Sequence, residues 1–167
     1  MTRSFVCDST SRDSRSVLAL TYGEKQANTL KSFDLATGTV RTVATAVQSL
    51  ATAAGAVYYL QFEPVPFTNP EHPHPLYRIS AGAPEPVRVL DDFPYLALTA
   101  GGSGRWLTAR LPAPAAYNTE TGATQTAGRS CQLAALADGT LLYTYGGELI
   151  RDARICDGPP PAQMPPE

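Results

Sequence analysis

Apolar positions along this chain come in short runs rich in Val, Leu, Tyr and Thr, broken at intervals by Gly, Asn, Asp or Pro. Runs of that length bounded by turn-forming residues predict β-strands. The 3.6-residue periodicity of an amphipathic helix is nearly absent. Residues 40–56 tolerate a helix best, yet their Thr and Val content and the stop at Gly55 favour strands. The pattern therefore predicts an all-β, antiparallel chain. Strand pairs are expected over 4–9 and 16–22, 49–53 and 56–62, 95–100 and 105–111, and 131–136 and 140–145.

The strands recur as a repeat. Leu35-Ala36-Thr37-Gly38, Ile79-Ser80-Ala81-Gly82, Thr119-Glu120-Thr121-Gly122 and Ile155-Cys156-Asp157-Gly158 each end on a glycine. They lie roughly 40 residues apart, the period of a four-stranded unit. A tight strand-to-strand turn needs positive φ at that glycine. After the first three come short outer strands at 39–43, 86–90 and 123–126. After Gly158 the chain is Pro-rich, and proline cannot donate to a ladder.

Phe33-Asp34-Leu35-Ala36-Thr37-Gly38 and Tyr117-Asn118-Thr119-Glu120-Thr121-Gly122 resemble the "D-x-x-T-G" turn after strand three in TolB-like and WD40-like propeller blades. Ser11-Arg12-Asp13-Ser14 and Ala137-Asp138-Gly139 echo the "S-x-D-G" turn before strand two. The resemblance spans residues 4–158 and implies a β-propeller-like array of four antiparallel blades, the last lacking its outer strand. It implies one domain over 1–158 and a disordered Pro-rich tail over 159–167. The short blade is expected to stay three-stranded, to take a strand from another molecule, or to be closed by N-terminal residues. A ring of four blades stands at the small limit of this architecture. The resemblance implies a fold and leaves function open, since such propellers host enzymes, scaffolds and receptors.

Composition narrows the function classes. The 167 residues carry 17% charged side chains and a net charge of −2, which creates no field to gather nucleic acid. No stretch approaches the ~20 apolar residues of a membrane span, so no membrane insertion is expected. Residues 1–6 lack the apolar run of a secretory signal. That fits a cytoplasmic protein, or a secreted or cell-envelope one whose leader has been removed. Scarce lysine (Lys25 and Lys31 alone) leans towards export.

Three cysteines, Cys7, Cys131 and Cys156, have no C-x-x-C spacing and leave at least one thiol over. Cys7 and Cys131 fall in first strands of the first and fourth repeats, so a disulfide between them would staple a closed ring. Cys7 with Cys156 would do so if the N-terminus supplied the missing outer strand. Three buried, reduced thiols are the other reading.

The insertion at 62–75 holds both histidines, His72 and His74, with Phe62, Glu63, Phe67 and Glu71 and interspersed prolines. It reads as an exposed loop, as a stiff partner-binding loop, or as a Zn or Cu site using the H-x-H pair, although no third ligand is set by spacing. Asp91-Asp92 reads as a turn between repeats. Trp106 is expected between blades. Gly101-Gly102-Ser103-Gly104 joins two strands and precedes no helix, so it reads as a hairpin, not a phosphate loop. There is no G-x-S-x-G elbow, P-loop or H-E-x-x-H motif, and no residue is assigned a catalytic role. A non-catalytic protein-binding or scaffold module is therefore expected, docking a partner or a second copy through blade loops or an open blade edge. The alternatives are a small enzyme or metal-binding protein using His72 and His74, and a structural subunit of a bacterial cell-envelope assembly.

Overall fold

A computed structural model of the chain describes residues 4–7, 16–21, 28–62, 74–80, 83–93, 98–109, 114–128, 131–145 and 148–150; for 4–7 and 83–84 it describes the backbone only. These residues form four antiparallel sheets, each built from strands consecutive in the chain. The first holds β1 (Ser4–Cys7), β2 (Ser16–Thr21), β3 (Thr29–Asp34) and β4 (Val40–Thr45), and the second β5 (Val47–Ala53), β6 (Ala56–Gln61), β7 (His74–Ser80) and β8 (Ala83–Phe93). The third holds β9 (Thr99–Ala100), β10 (Trp106–Ala109), β11 (Ala115–Asn118) and β12 (Thr124–Thr126), and the fourth β13 (Cys131–Ala135), β14 (Leu141–Tyr145) and β15 (Glu148–Ile150). Four such meanders make the fold all-β and propeller-like. No helix of the described residues is long and apolar enough to cross a membrane.

β6 shows why the apolar runs are continuous and not alternating. A strand inside a sheet that is covered on both faces must be apolar on both. Ala56, Tyr58 and Leu60 pack with Leu107, Ala109, Ala115 and Tyr117 of the third sheet. Val57 and Tyr59 turn the other way and pack with Leu18, Leu20, Leu30 and Ala44 of the first. A third core joins Trp106 and Ala116 to Cys131, Leu133 and Tyr143 of the fourth sheet. Each core thus fills a seam between consecutive sheets. None of the three joins the first sheet to the fourth among the described residues.

Polar groups fasten the same seams. Arg41 of β4 meets Glu85 of β8 at 2.9 Å. The Leu98 amide donates to Ser49 Oγ at 2.9 Å. The indole of Trp106 donates to the Gly139 carbonyl at 2.7 Å, and Tyr143 donates to Gln125 Oε1 at 2.8 Å. Trp106 therefore packs between blades, as its place in the repeat predicts.

One turn is displaced from its predicted position. Asp91 and Asp92 belong to β8, which continues to Phe93. The cause is the Phe93 side chain, fully buried and paired in register with His74. Carrying the strand that far requires bulges between His74 and Leu76, Leu76 and Tyr77, and Arg78 and Ser80. Asp91 stays outside and pairs with Arg88 at 2.7 Å.

Candidate functional site: the loop end of the array and the outer edge of the fourth sheet

The two repeat turns the structure describes, after β3 and β11, owe their shape to one acceptor side chain each. Asp34 Oδ1 accepts from the amides of Ala36 and Thr37 at 2.8 and 3.0 Å. Gly38, at φ 71°, then donates its amide to the Asp34 carbonyl at 2.8 Å. Asn118 repeats the arrangement: its Oδ1 accepts from Glu120 and Thr121 at 3.0 Å each, and Gly122 donates to the Asn118 carbonyl at 2.9 Å. Asp and Asn stand in for a backbone acceptor here, which is why either fits the position. The Asp138 carboxylate accepts from the Thr140 amide at 2.9 Å, and that bond holds its pKa below the usual carboxylate value.

At the same end of the third sheet, the hairpin at 101–105 wedges between two neighbours. A Cβ added at Gly104 would meet the Ala54 amide nitrogen at 2.7 Å, and one at Gly101 would meet the Ala135 Cβ at 2.6 Å. The hairpins of the second, third and fourth sheets therefore touch in sequence. Thr119 ties the next turn into this group by donating to the Gly104 carbonyl at 2.9 Å. Arg105 lies 3.4 Å from Glu120. The glycines make this end a closely packed loop surface, and Gly101–Gly104 is the hairpin that its flanking strands predict.

The insertion between β6 and β7 is described at its two ends. Phe62 is exposed and donates its amide to the Ala46 carbonyl at 2.7 Å. Its ring lies 5.8 Å from that of His74, which opens β7 and is only 3% exposed. Glu63, Phe67, Glu71 and His72 lie outside the described residues. Among the described residues no group of three or more His, Cys, Asp or Glu side chains is placed to hold a metal. Cys131 is buried at the start of β13 and is disulfide-bonded. The side chain of Cys7 and all of Cys156 lie outside the described residues.

β15 is the outermost strand of the fourth sheet, and among the described residues no strand pairs with its second edge. In each of the other sheets a fourth strand occupies that place. Leu149, at the centre of β15, is 63% exposed. The predicted turn at 155–158 lies outside the described residues.

Sequence reasoning missed a group at the seam of the second and third sheets. Arg78 is in register with Tyr58 across β6 and β7, and the Tyr58 ring lies 6.2 Å from that of Tyr117. Burial raises the Tyr58 pKa, and the neighbouring Arg78 guanidinium opposes the rise. The available signal was an arginine inside an otherwise apolar strand, Leu76-Tyr77-Arg78-Ile79.

Four sequential meanders joined by apolar seams define an all-β molecule of propeller-like architecture. No protein-family model matches the chain, and no curated protein matches it. Among solved structures, TolB from Acinetobacter baumannii is similar, with a TM-score of 0.45 and 14% identity. The similarity covers 81% of this chain and 37% of that one, so the chain spans well under half the length of that TolB.

Proposed function

We propose that this chain is a non-catalytic protein-binding or scaffold module that docks a partner polypeptide through its blade loops and the free edge of its fourth sheet. The carrying observation is β15. Its outer edge has no strand partner among the described residues, and it presents Leu149 to solvent. An exposed strand edge offers a row of backbone donors and acceptors to an incoming strand. Added strands take affinity from main-chain hydrogen bonds and specificity from alternate side chains. Leu149 supplies an apolar contact for one such side chain. The loop surface built around Gly101–Gly104 lies on the neighbouring sheet, closely packed against the hairpins beside it.

Site-specific photocrosslinking in the native host tests this reading. A benzophenone side chain at position 149 should trap one discrete partner, or a second copy of the chain. The same group at Val87, an exposed β8 residue far from this edge in the chain, should not. No adduct at 149, or the same adducts at both positions, would remove the proposal.

A further inference from the structure

Arginine placement sets one side chain apart. The described residues include four arginines, at 41, 78, 88 and 105. Three stand against a carboxylate: Arg41 with Glu85, Arg88 with Asp91 and Arg105 with Glu120. Arg78 forms no such pair among the described residues. It lies in β7 opposite Tyr58, two pairs short of the ladder's last at Ala56 and Ser80, where Ser80 also meets Ala83 of β8. Its Nε is buried and meets no hydrogen-bond acceptor among the described residues, while the guanidinium also hydrogen-bonds the Tyr58 hydroxyl. Tyr58, beside it on the neighbouring strand, is almost wholly buried, while the arginine itself keeps part of its surface in solvent.

A buried guanidinium N–H of this kind is costly to leave without an acceptor. Its planar fork of donors matches the two oxygens of a carboxylate or a phosphate. The Tyr58 hydroxyl, which accepts from the guanidinium, carries an O–H that can donate to the same anion. We propose that Arg78, with Tyr58 beside it at the seam of the second and third sheets, is a binding site for an oxyanion, either a carboxylate or a phosphate. The site shares no residue with β15, so it stands whether or not the edge-docking reading holds. The low dielectric of the seam strengthens the ion pair relative to the three exposed ones. Partial exposure of Arg78 provides the path by which the anion arrives.

The test is a titration of the folded, full chain with sodium acetate and, separately, sodium phosphate. Ionic strength is kept constant with chloride, and the arginine Nε–Hε signals are followed by NMR. The Arg78 signal, assigned by its loss in Arg78→Gln, should shift saturably, while that of Arg88 stays put. Saturation at lower phosphate than acetate identifies a phosphate site, and the reverse order a carboxylate site. Tyr58→Phe, which keeps the ring and therefore the fold, should weaken binding by about tenfold through loss of one donor to a charged acceptor. A linear, unsaturated shift with both anions, equal shifts at Arg78 and Arg88, or unchanged affinity in Tyr58→Phe would overturn the assignment.

Discussion

Replacing Gly104 by alanine, with Gly38→Ala as its control, separates turn strain from packing between sheets. Both glycines sit at nearly the same left-handed φ, 70° and 71°. The intrinsic cost of placing an alanine there is therefore shared, about 1–2 kcal/mol. Their surroundings differ. A Cβ at Gly38 meets nothing within 4 Å, whereas one at Gly104 meets the Ala54 amide nitrogen at 2.7 Å and its Cα at 3.5 Å. The obstacle at Gly104 is the backbone of the second sheet's hairpin, which cannot rotate away as a flexible side chain can. Forcing in a methyl group there adds an overpacking cost of about 1–3 kcal/mol. Gly104→Ala should thus lose about 1–3 kcal/mol more than Gly38→Ala. Urea unfolding read by the fluorescence of Trp106 gives both values, provided the m-values agree. Equal losses would mean that the second and third hairpins do not touch in solution, and the seam between those sheets would have to be redrawn.

Three further outcomes follow from the same seams. Gly101→Ala should destabilise because its Cβ would fall 2.6 Å from the Ala135 Cβ; the double variant with Ala135→Gly should recover most of the loss, and a non-additive cycle in urea unfolding checks it. Trp106→Phe removes the donor to the Gly139 carbonyl and should cost about 1–2 kcal/mol beyond lost packing, whereas unchanged stability would place the indole elsewhere. Burial, with a smaller contribution from Tyr77, pushes the Tyr59 hydroxyl up to about 12 from 10.0. The unfolded chain therefore gives up this proton first, so stability is intact below pH 10 and falls as pH rises from about 10 to 12, by up to about 2–3 kcal/mol. Tyr59→Phe should lack that component when urea midpoints at pH 9.5 and 11.5 are compared with those of the wild type.

Local chemistry made much of this architecture legible in advance. Asp34 and Asn118 mark their turns because each supplies the acceptor that the turn's amides need, and Gly38 and Gly122 supply the positive φ. The apolar run of β6 is readable as a strand because two seams demand apolar residues on both its faces. Asp91 and Asp92 misled for a physical reason. Carboxylates next to a Phe-Pro pair look like a turn, but burying Phe93 against the second sheet's core outweighs that local preference. Arg78 was invisible as a site because its neighbour Tyr58 lies far from it in the chain, and only the β6–β7 register brings the two together. That no described strand lies beyond β15 was foreseeable from the prolines beyond Gly158, whereas the exposure of Leu149 required the register of Thr144 with Leu149.

Amide hydrogen exchange of the free chain, resolved residue by residue, tests the docking edge most directly. β11 is paired on both sides, by β10 and β12, and its amides should be protected throughout Ala115–Asn118. β15 is paired by β14 alone among the described residues, so within Glu148–Ile150 the amides directed away from β14 should exchange at nearly unprotected rates. Protection of all three β15 amides equal to that of β11 would mean that the edge is already occupied, and strand addition there would be contradicted.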